Sequence, residues 1–397
     1  MFTSSKAKSA VVALTILVIA GISAWVYQLA NGLAVTGMSN INSWGAYIIM
    51  FMLFVGLSAG GLIVASSAHV FNIKQFKKVA LPAVITSTVC ICCAGLFILL
   101  DLGGIQRVWR ILTGPNPSSV LVWDMTIITI YLVINILDLV LIIRGNEHKV
   151  EVLSRIALPV AILVHSVTAW IFGLQIARAW YSAIMAPIFV ASAMDSGLAL
   201  LIIALAALER AGIFTTGAKL FKDLSGLLAV FIAVDAFFIG CELLTMAYPG
   251  AGEAVALGHM LQGATAPFFW FEAICGLLIP FLILVFSKNR EKRGLVIGAS
   301  ALVVLGVFAK RVWLLLTSFI TPNVEGANGI SLGTFAAQAD AANMWAQTGS
   351  YAPTVIEILV IVGVISLGAL AFIILSNKML KRNSTEPAAD AQSTTAE

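Results

Sequence analysis

Residues 44–71 read WGAYIIMFMLFVGLSAGGLIVASSAHVF. The stretch contains no Asp, Glu, Lys or Arg. An α-helix needs about 20 apolar residues to cross the hydrocarbon core of a bilayer, and this run is long enough. A membrane-spanning β-strand would alternate apolar and polar positions, which this run does not. Lipid offers no partner for free backbone groups, so the run is read as a spanning helix.

Similar runs lie on both sides of it, at roughly 8–30, 79–100, 120–144, 155–178, 183–208, 223–247, 261–287, 295–319 and 353–376. With 44–71 they make ten. The first follows Lys6 and Lys8, shows no small-residue cleavage site and is kept as a span. The whole chain is 60% hydrophobic and 11% charged, with mean hydropathy +1.02. A soluble domain carries roughly 25% charged residues, so too little charge is present to clothe a water-facing surface. The expected fold class is an all-α integral membrane protein.

The basic residues set the orientation. Of 23 Lys and Arg, 18 fall on the side of the chain start. Arg107, Arg110 and Arg178 fall on the other side, and Lys310 and Arg311 lie inside the ninth run. That asymmetry predicts cytoplasmic N- and C-termini and independently supports an even number of spans. The two long loops, 101–119 and 320–352, then face outward. The chain after residue 377 is polar and reads as a disordered cytoplasmic tail.

Short motifs recur. GLSAGGLIV at 56–64 is echoed by SAMDSGLALL at 192–201, GLFILLDL at 95–102 by AFFIGCEL at 236–243, and LVWDM at 121–125 by FWFEA at 269–273. This predicts two four-helix bundles of the same orientation, spans 2–5 within 44–178 and spans 6–9 within 179–319. Span 1 with its loop (1–43) and the loop and span at 320–376 flank them.

Ionisable groups inside a bilayer are costly and are functional candidates by default. His165 and Asp195 fall at similar mid-membrane depth on consecutive spans and are expected to be neighbours. A histidine beside a carboxylate suits quinol chemistry: one group takes a hydroxyl proton while the other holds the headgroup. A structural His–Asp hydrogen bond is the plainer alternative. Asp124, Glu272 and Asp235 are possible supporting acids, or partners for Lys310, Arg311, Arg107 and Arg110. Asp138, Asn135 and Tyr131 form a polar stripe that, with His69, reads as a proton route or as helix–helix glue.

Four histidines, His69, His148, His165 and His259, do not match in depth, so no haem ligand pair is expected. All five cysteines fall in apolar runs, so no metal site or iron–sulfur cluster is expected in this chain. Basic residues at helix ends without interleaved aromatics exclude nucleic-acid binding. A secondary transporter with a midplane charged site is the competing class, although Pro187 and Pro280 interrupt spans six and eight at unmatched positions.

The segment VHSVTAWIFGLQIARAWYSAIMAPIFVASAMDSGLALLI at 164–202 resembles the signature of the NrfD/PsrC family. Residues 44–64, the outer loop DLGGIQRVWRILTGPNPSSVLVW at 101–123 and YAPTVIEILVIVGVISLGALAF at 351–372 resemble other parts of its ten-span branch. Gly104 and Ile105 depart from that family's loop pattern. The resemblance implies a haem-free subunit of a prokaryotic cytoplasmic (inner) membrane. It would exchange electrons between menaquinone or ubiquinone and a ferredoxin-like iron–sulfur subunit on the outer face, completed by a further catalytic or cytochrome subunit. His165 and Asp195 fall where the quinone site is expected, and Arg107, Arg110 and Arg178 where the partner docks.

Overall fold

The computed structural model describes residues 5–39, 42–176, 178–250, 253–321 and 350–393, with side chains between 8 and 380. Most of the loop expected at 320–352 lies outside the described residues. The described part is helical, and ten helices are long and apolar enough to cross a membrane. They are α1 (Ser5–Asn31), α2 (Ala46–Val70), α3 (Ala80–Asp101), α4 (Val120–Ile143) and α5 (Glu147–Gly173). Then follow α6 (Met185–Arg210), α7 (Ala218–Ala247), α8 (Ala266–Val285), α9 (Arg293–Ile320) and α10 (Val355–Ser393). The chain is an all-α, multi-pass integral membrane protein. Below, the face where α1 begins is the near face, and the opposite one is the far face.

Among the boundaries that differ from the hydropathy reading, three have a local reason. Hydropathy starts the fifth helix at Arg155, because Glu147, Lys149 and Glu151 mask its first turns. The structure begins it at Glu147, where the Asn146 side chain accepts a hydrogen bond from the Lys149 amide at 3.1 Å and caps the free first turn. Hydropathy also makes the eighth run continuous from residue 261. A separate helix, Glu253–Leu261, precedes it instead, and Gly263–Thr265 breaks the chain before α8. The tail expected to be disordered after 377 continues α10 as helix to Ser393, with 394–397 outside the described residues. It continues a helix already nucleated in the span.

α2 is the most enclosed helix and lies against α3, α5, α6 and α9. The remaining packing runs α3 on α4, α4 on α5, α5 on α6, α6 on α7 and α9, and α8 on α7 and α9. α1 rests on α10, which rests on α3. Lipid is as apolar as a leucine side chain, so helix association here depends on close backbone approach. Three glycine pairs provide it. A Cβ added at Gly60 would lie 2.7 Å from the Gly197 Cα, one at Gly276 2.6 Å from the Gly306 Cα, and one at Gly21 2.6 Å from the Gly363 Cα. These contacts fix α2 on α6, α8 on α9 and α1 on α10.

Candidate functional site

The crossing of α2 and α6 decides which way each polar side chain on α6 points. Ala193 and Gly197 face α2, since a Cβ at Gly60 would run into the Ala193 carbonyl and Gly197. Asp195 is two residues from each, about 200° around the helix. It therefore turns away from α2, toward α7 and α9, and is fully buried there.

His165 on α5 lies on the other side of α6. Its imidazole edge packs against Gly56 of α2, where an added Cβ would meet Cε1 and Nε2 at 3.3 Å. It is also fully buried, and neither ring nitrogen has a hydrogen-bond partner among the described residues. Neither carboxylate oxygen of Asp195 has one there either. The direct pair expected of these two residues is therefore not formed. Consecutive helices are neighbours, but Asp195 leaves α6 on the side away from His165.

Phe189 and Arg311 stand between them. The His165 and Phe189 ring centroids are 5.8 Å apart, and the Arg311 guanidinium carbon lies 3.9 Å from the Phe189 centroid. Arg311 also donates through Nη2 to the Ser192 hydroxyl at 2.7 Å, while its Nε and Nη1 have no partner among the described residues. A desolvated guanidinium on an aromatic face gains about 2 kcal/mol, which offsets part of the cost of leaving water.

Around Asp195 the structure gathers a charged cluster from four helices. Lys310 Nζ on α9 donates to both carboxylate oxygens of Asp235 on α7, at 2.9 and 3.1 Å. It also lies 3.4 Å from Glu272 Oε1 on α8. The Trp313 indole donates to Glu272 Oε2 at 2.5 Å. Asp195 and Arg311 sit within electrostatic reach of these groups. Glu272 is aimed inward by a π-helical stretch, Phe271–Leu278, which resets the helical phase inside α8. The cluster contains three carboxyl groups and two bases, so it is neutral when one acid keeps its proton.

A related arrangement recurs on the other side of α6. Asp124 on α4 accepts a hydrogen bond from Thr168 on α5 at 2.6 Å. Asp124 and Glu272 stand 148 residues apart in the chain, and their donors Thr168 and Trp313 stand 145 apart. The 145-residue offset also carries His165 onto Lys310. Asp124 lines a cavity of about 1010 Å³ between α3 and α4, together with Trp44, Asp101, Arg107 and Phe172. Thr168 and Phe172 are on the His165 face of α5, one and two turns along.

Aromatic rings cover His165 on the far side. Phe172 lies 5.7 Å from Trp44, 5.3 Å from Trp180 and 6.0 Å from Phe189 by ring centroids. Arg178, expected at a docking surface, stacks on this group, 5.8 Å from Trp180 and 5.2 Å from Phe319. Arg107 and Arg110 are exposed on the far-face loop, beside exposed Trp109 and Leu112.

The polar stripe on α4 divides. Tyr131 and Asn135 join a buried network across three helices: the Ser87 hydroxyl lies 2.8 Å from the Tyr131 hydroxyl and donates to Asn135 Oδ1 at 2.7 Å, and Ser58 donates to the Ser87 carbonyl at 2.7 Å. Asp138 Oδ1 and His69 Nε2 have no hydrogen-bond partner among the described residues. Ser66 and Ser154, buried toward the same near face, have none there either.

Sequence reasoning places Lys310 and Arg311 in the ninth run without assigning them a site. The signal is present: two cations inside one apolar helix need acids from other helices. Thr168, Ser192, Trp313, Ser58 and Ser87 carry no signal of their own, because single hydroxyls and indoles are common in apolar helices.

The family model "Polysulphide reductase, NrfD" matches residues 34–323. The chain is 36% identical over 382 residues to a putative dimethyl sulfoxide reductase membrane subunit of Halobacterium salinarum, covering 90% of this chain and 87% of that one. It is 29% identical over 367 residues to the Hdr-like menaquinol oxidoreductase integral membrane subunit of Archaeoglobus fulgidus, covering 90% and 91%. It is 27% identical over 354 residues to a selenate reductase subunit of Mesobacillus selenatarsenatis, covering 79% and 82%.

Proposed function

This chain belongs to the NrfD polysulphide reductase family, as a membrane subunit of a respiratory oxidoreductase, and we propose that it is the quinone-reactive subunit. In this reading it passes electrons between a membrane quinone and a ferredoxin-like iron–sulfur partner on the far face. A further catalytic or cytochrome subunit completes the complex. The observation that carries the reading is His165: a fully buried imidazole with both nitrogens unpartnered among the described residues, behind an aromatic wall shared with a large apolar cavity. A quinol headgroup offers two hydroxyl donors and a quinone two carbonyl acceptors. Either supplies what that ring lacks.

The cavity beside Asp124 suits an isoprenoid quinone, being apolar along its length with Asp101, Asp124 and Arg107 at the far-face end. His165 takes the hydroxyl proton, and Asp124, oriented by Thr168, holds the headgroup. Asp195, Asp235 and Glu272 with Lys310 and Arg311 form a second charged centre across α6. The name of the Archaeoglobus relative, a menaquinol oxidoreductase subunit, favours menaquinone. The charge asymmetry of the loops supports cytoplasmic termini and an outward far face, in the cytoplasmic membrane of a prokaryotic cell on this reading. There the exposed Arg107 and Arg110 meet the iron–sulfur partner. Asp138 and His69, with Ser66 and Ser154 at similar depth, mark a hydrated proton route from the near face. Asn135 and Tyr131, bound to Ser87, close its inner end as helix packing.

The test is quinol-dependent electron transfer in the purified complex. His165→Ala should abolish it while the subunits still assemble. Full turnover in an assembled His165→Ala complex, or recovery of the chain without any redox partner but with solute transport, would refute this reading.

A further inference from the structure

Above the charged cluster a narrow cavity of about 30 Å³ runs among α6, α7 and α9 toward the far face. Lys310 lies at its inner end, and Glu242, on the last turns of α7, lines its outer part. Trp180, Trp313, Thr317 and Ser318 complete its polar wall. A water needs about 10–15 Å³ of such volume and two or more polar partners, so the space suits about two waters.

The partners are there. The Trp180 indole N–H and the Ser318 hydroxyl are buried, 3% and 1% exposed, and neither has a hydrogen-bond partner among the described residues. A buried donor left without a partner is costly, and two such groups lining one cavity are what ordered water satisfies. Glu242 accepts from Ser182 of the far-face loop at 2.8 Å, which holds its carboxylate at the mouth. It is only half-buried, unlike the cluster at the inner end.

We propose that this cavity is a water-filled proton conduit joining the buried cluster to the far-face solution, with Glu242 as its terminal proton carrier. The charged groups lining it are Lys310 on α9 and Glu242 on α7. Behind Lys310 stand Asp235 on α7 and Glu272 on α8, with Asp195 on α6 and Arg311 on α9 within electrostatic reach, and Arg178 stacks on Trp180. The cluster is neutral with one carboxyl proton. That proton leaves by a simple shift: Lys310 gives a proton to the adjacent water, the water chain passes one to Glu242, and the neutral acid restores Lys310. Uptake is the reverse. Trp180 and Ser318 orient the waters and carry no charge themselves.

This conduit does not depend on the quinone reading, and its test uses no quinone. The full-length chain is oriented in lipid vesicles, and the infrared band of the cluster's protonated carboxyl is followed after a pH jump on the far-face side. The band is assigned by its loss in Asp195→Asn, Asp235→Asn or Glu272→Gln. The wild type should respond to the far-face jump. Glu242→Gln should slow that response at least tenfold, and Ser318→Leu, which fills the cavity, should do the same. Glu242→Asp, which keeps the carboxylate, should restore most of the rate. Unchanged rates in both Glu242→Gln and Ser318→Leu, or a band that follows only near-face pH, would overturn the proposal.

Discussion

Lys310 Nζ on α9 is bound to both carboxylate oxygens of Asp235 on α7, at 2.9 and 3.1 Å, with both residues buried in the membrane interior. Each charge is tolerated there because of the other. Removing one partner from a buried pair costs about 3–5 kcal/mol, whereas replacing both with apolar groups of similar size costs little. Asp235→Asn should therefore lower stability by about 3 kcal/mol, the lower end, because Glu272 still faces the lysine at 3.4 Å. Asp235→Leu with Lys310→Met should recover most of the loss. Thermal unfolding in detergent measures both, and an unshifted midpoint in Asp235→Asn would show that the pair contributes nothing.

The proposed quinone chemistry separates two residues on one face of α5. His165→Ala should reduce quinol-dependent turnover by roughly 10²-fold or more, the usual scale for a lost general base. Thr168→Val removes the 2.6 Å hydrogen bond to Asp124 and leaves the histidine in place. It should raise KM for quinol more than it lowers kcat. Equal kcat losses in the two variants would argue against assigning them different roles.

Gly197 is required by the crossing of α2 and α6. An added Cβ would lie 2.5 Å from the Gly60 Cα, a backbone atom that has nowhere to go. Gly197→Ala should destabilise the protein by about 1–3 kcal/mol through overpacking. Gly240, whose added Cβ would meet nothing within 4 Å, should accept alanine without loss. Comparing the yield of folded protein for the two variants checks this.

The Ser87 hydroxyl joins Tyr131, Asn135 and Ser58 inside the membrane. Polar contacts between membrane helices average about 0.6 kcal/mol. Ser87→Ala, which touches two or three of them, should cost about 1–2 kcal/mol and leave turnover intact. A fall in turnover with unchanged stability would move this network from helix packing to proton transfer.

Tyr351, just before α10, donates to Glu357 at 2.6 Å and accepts from the Ala46 amide at 2.7 Å. Burial, reinforced by its hydrogen bond to Glu357, holds its phenol above the ordinary tyrosine range. A group whose folded pKa is raised stabilises fully below its unfolded value, about 10, and loses that contribution as pH rises beyond it. Stability should thus fall above about pH 10, and Tyr351→Phe should flatten that fall. Unfolding midpoints from pH 8 to 11 would show it, and parallel curves for the two proteins would contradict it.

The ten spans and their alternation follow from properties that are local in the chain. A run of apolar residues prefers lipid whatever its neighbours, and 18 of the 23 Lys and Arg fall on one side of the spans whatever the packing. The buried ionisable residues are also legible, because each stands out against its own apolar run. Their grouping is not. His165 and Asp195 look adjacent in depth and in chain order, yet the contact of Gly60 with Gly197 turns α6 so that the two point apart. The π-helical turn in α8, invisible to any hydropathy profile, sends Glu272 to Trp313 and Lys310. Residue type and depth are written along one helix at a time. Which face a helix presents depends on backbone contacts between helices far apart in sequence, and only the tertiary structure decides that.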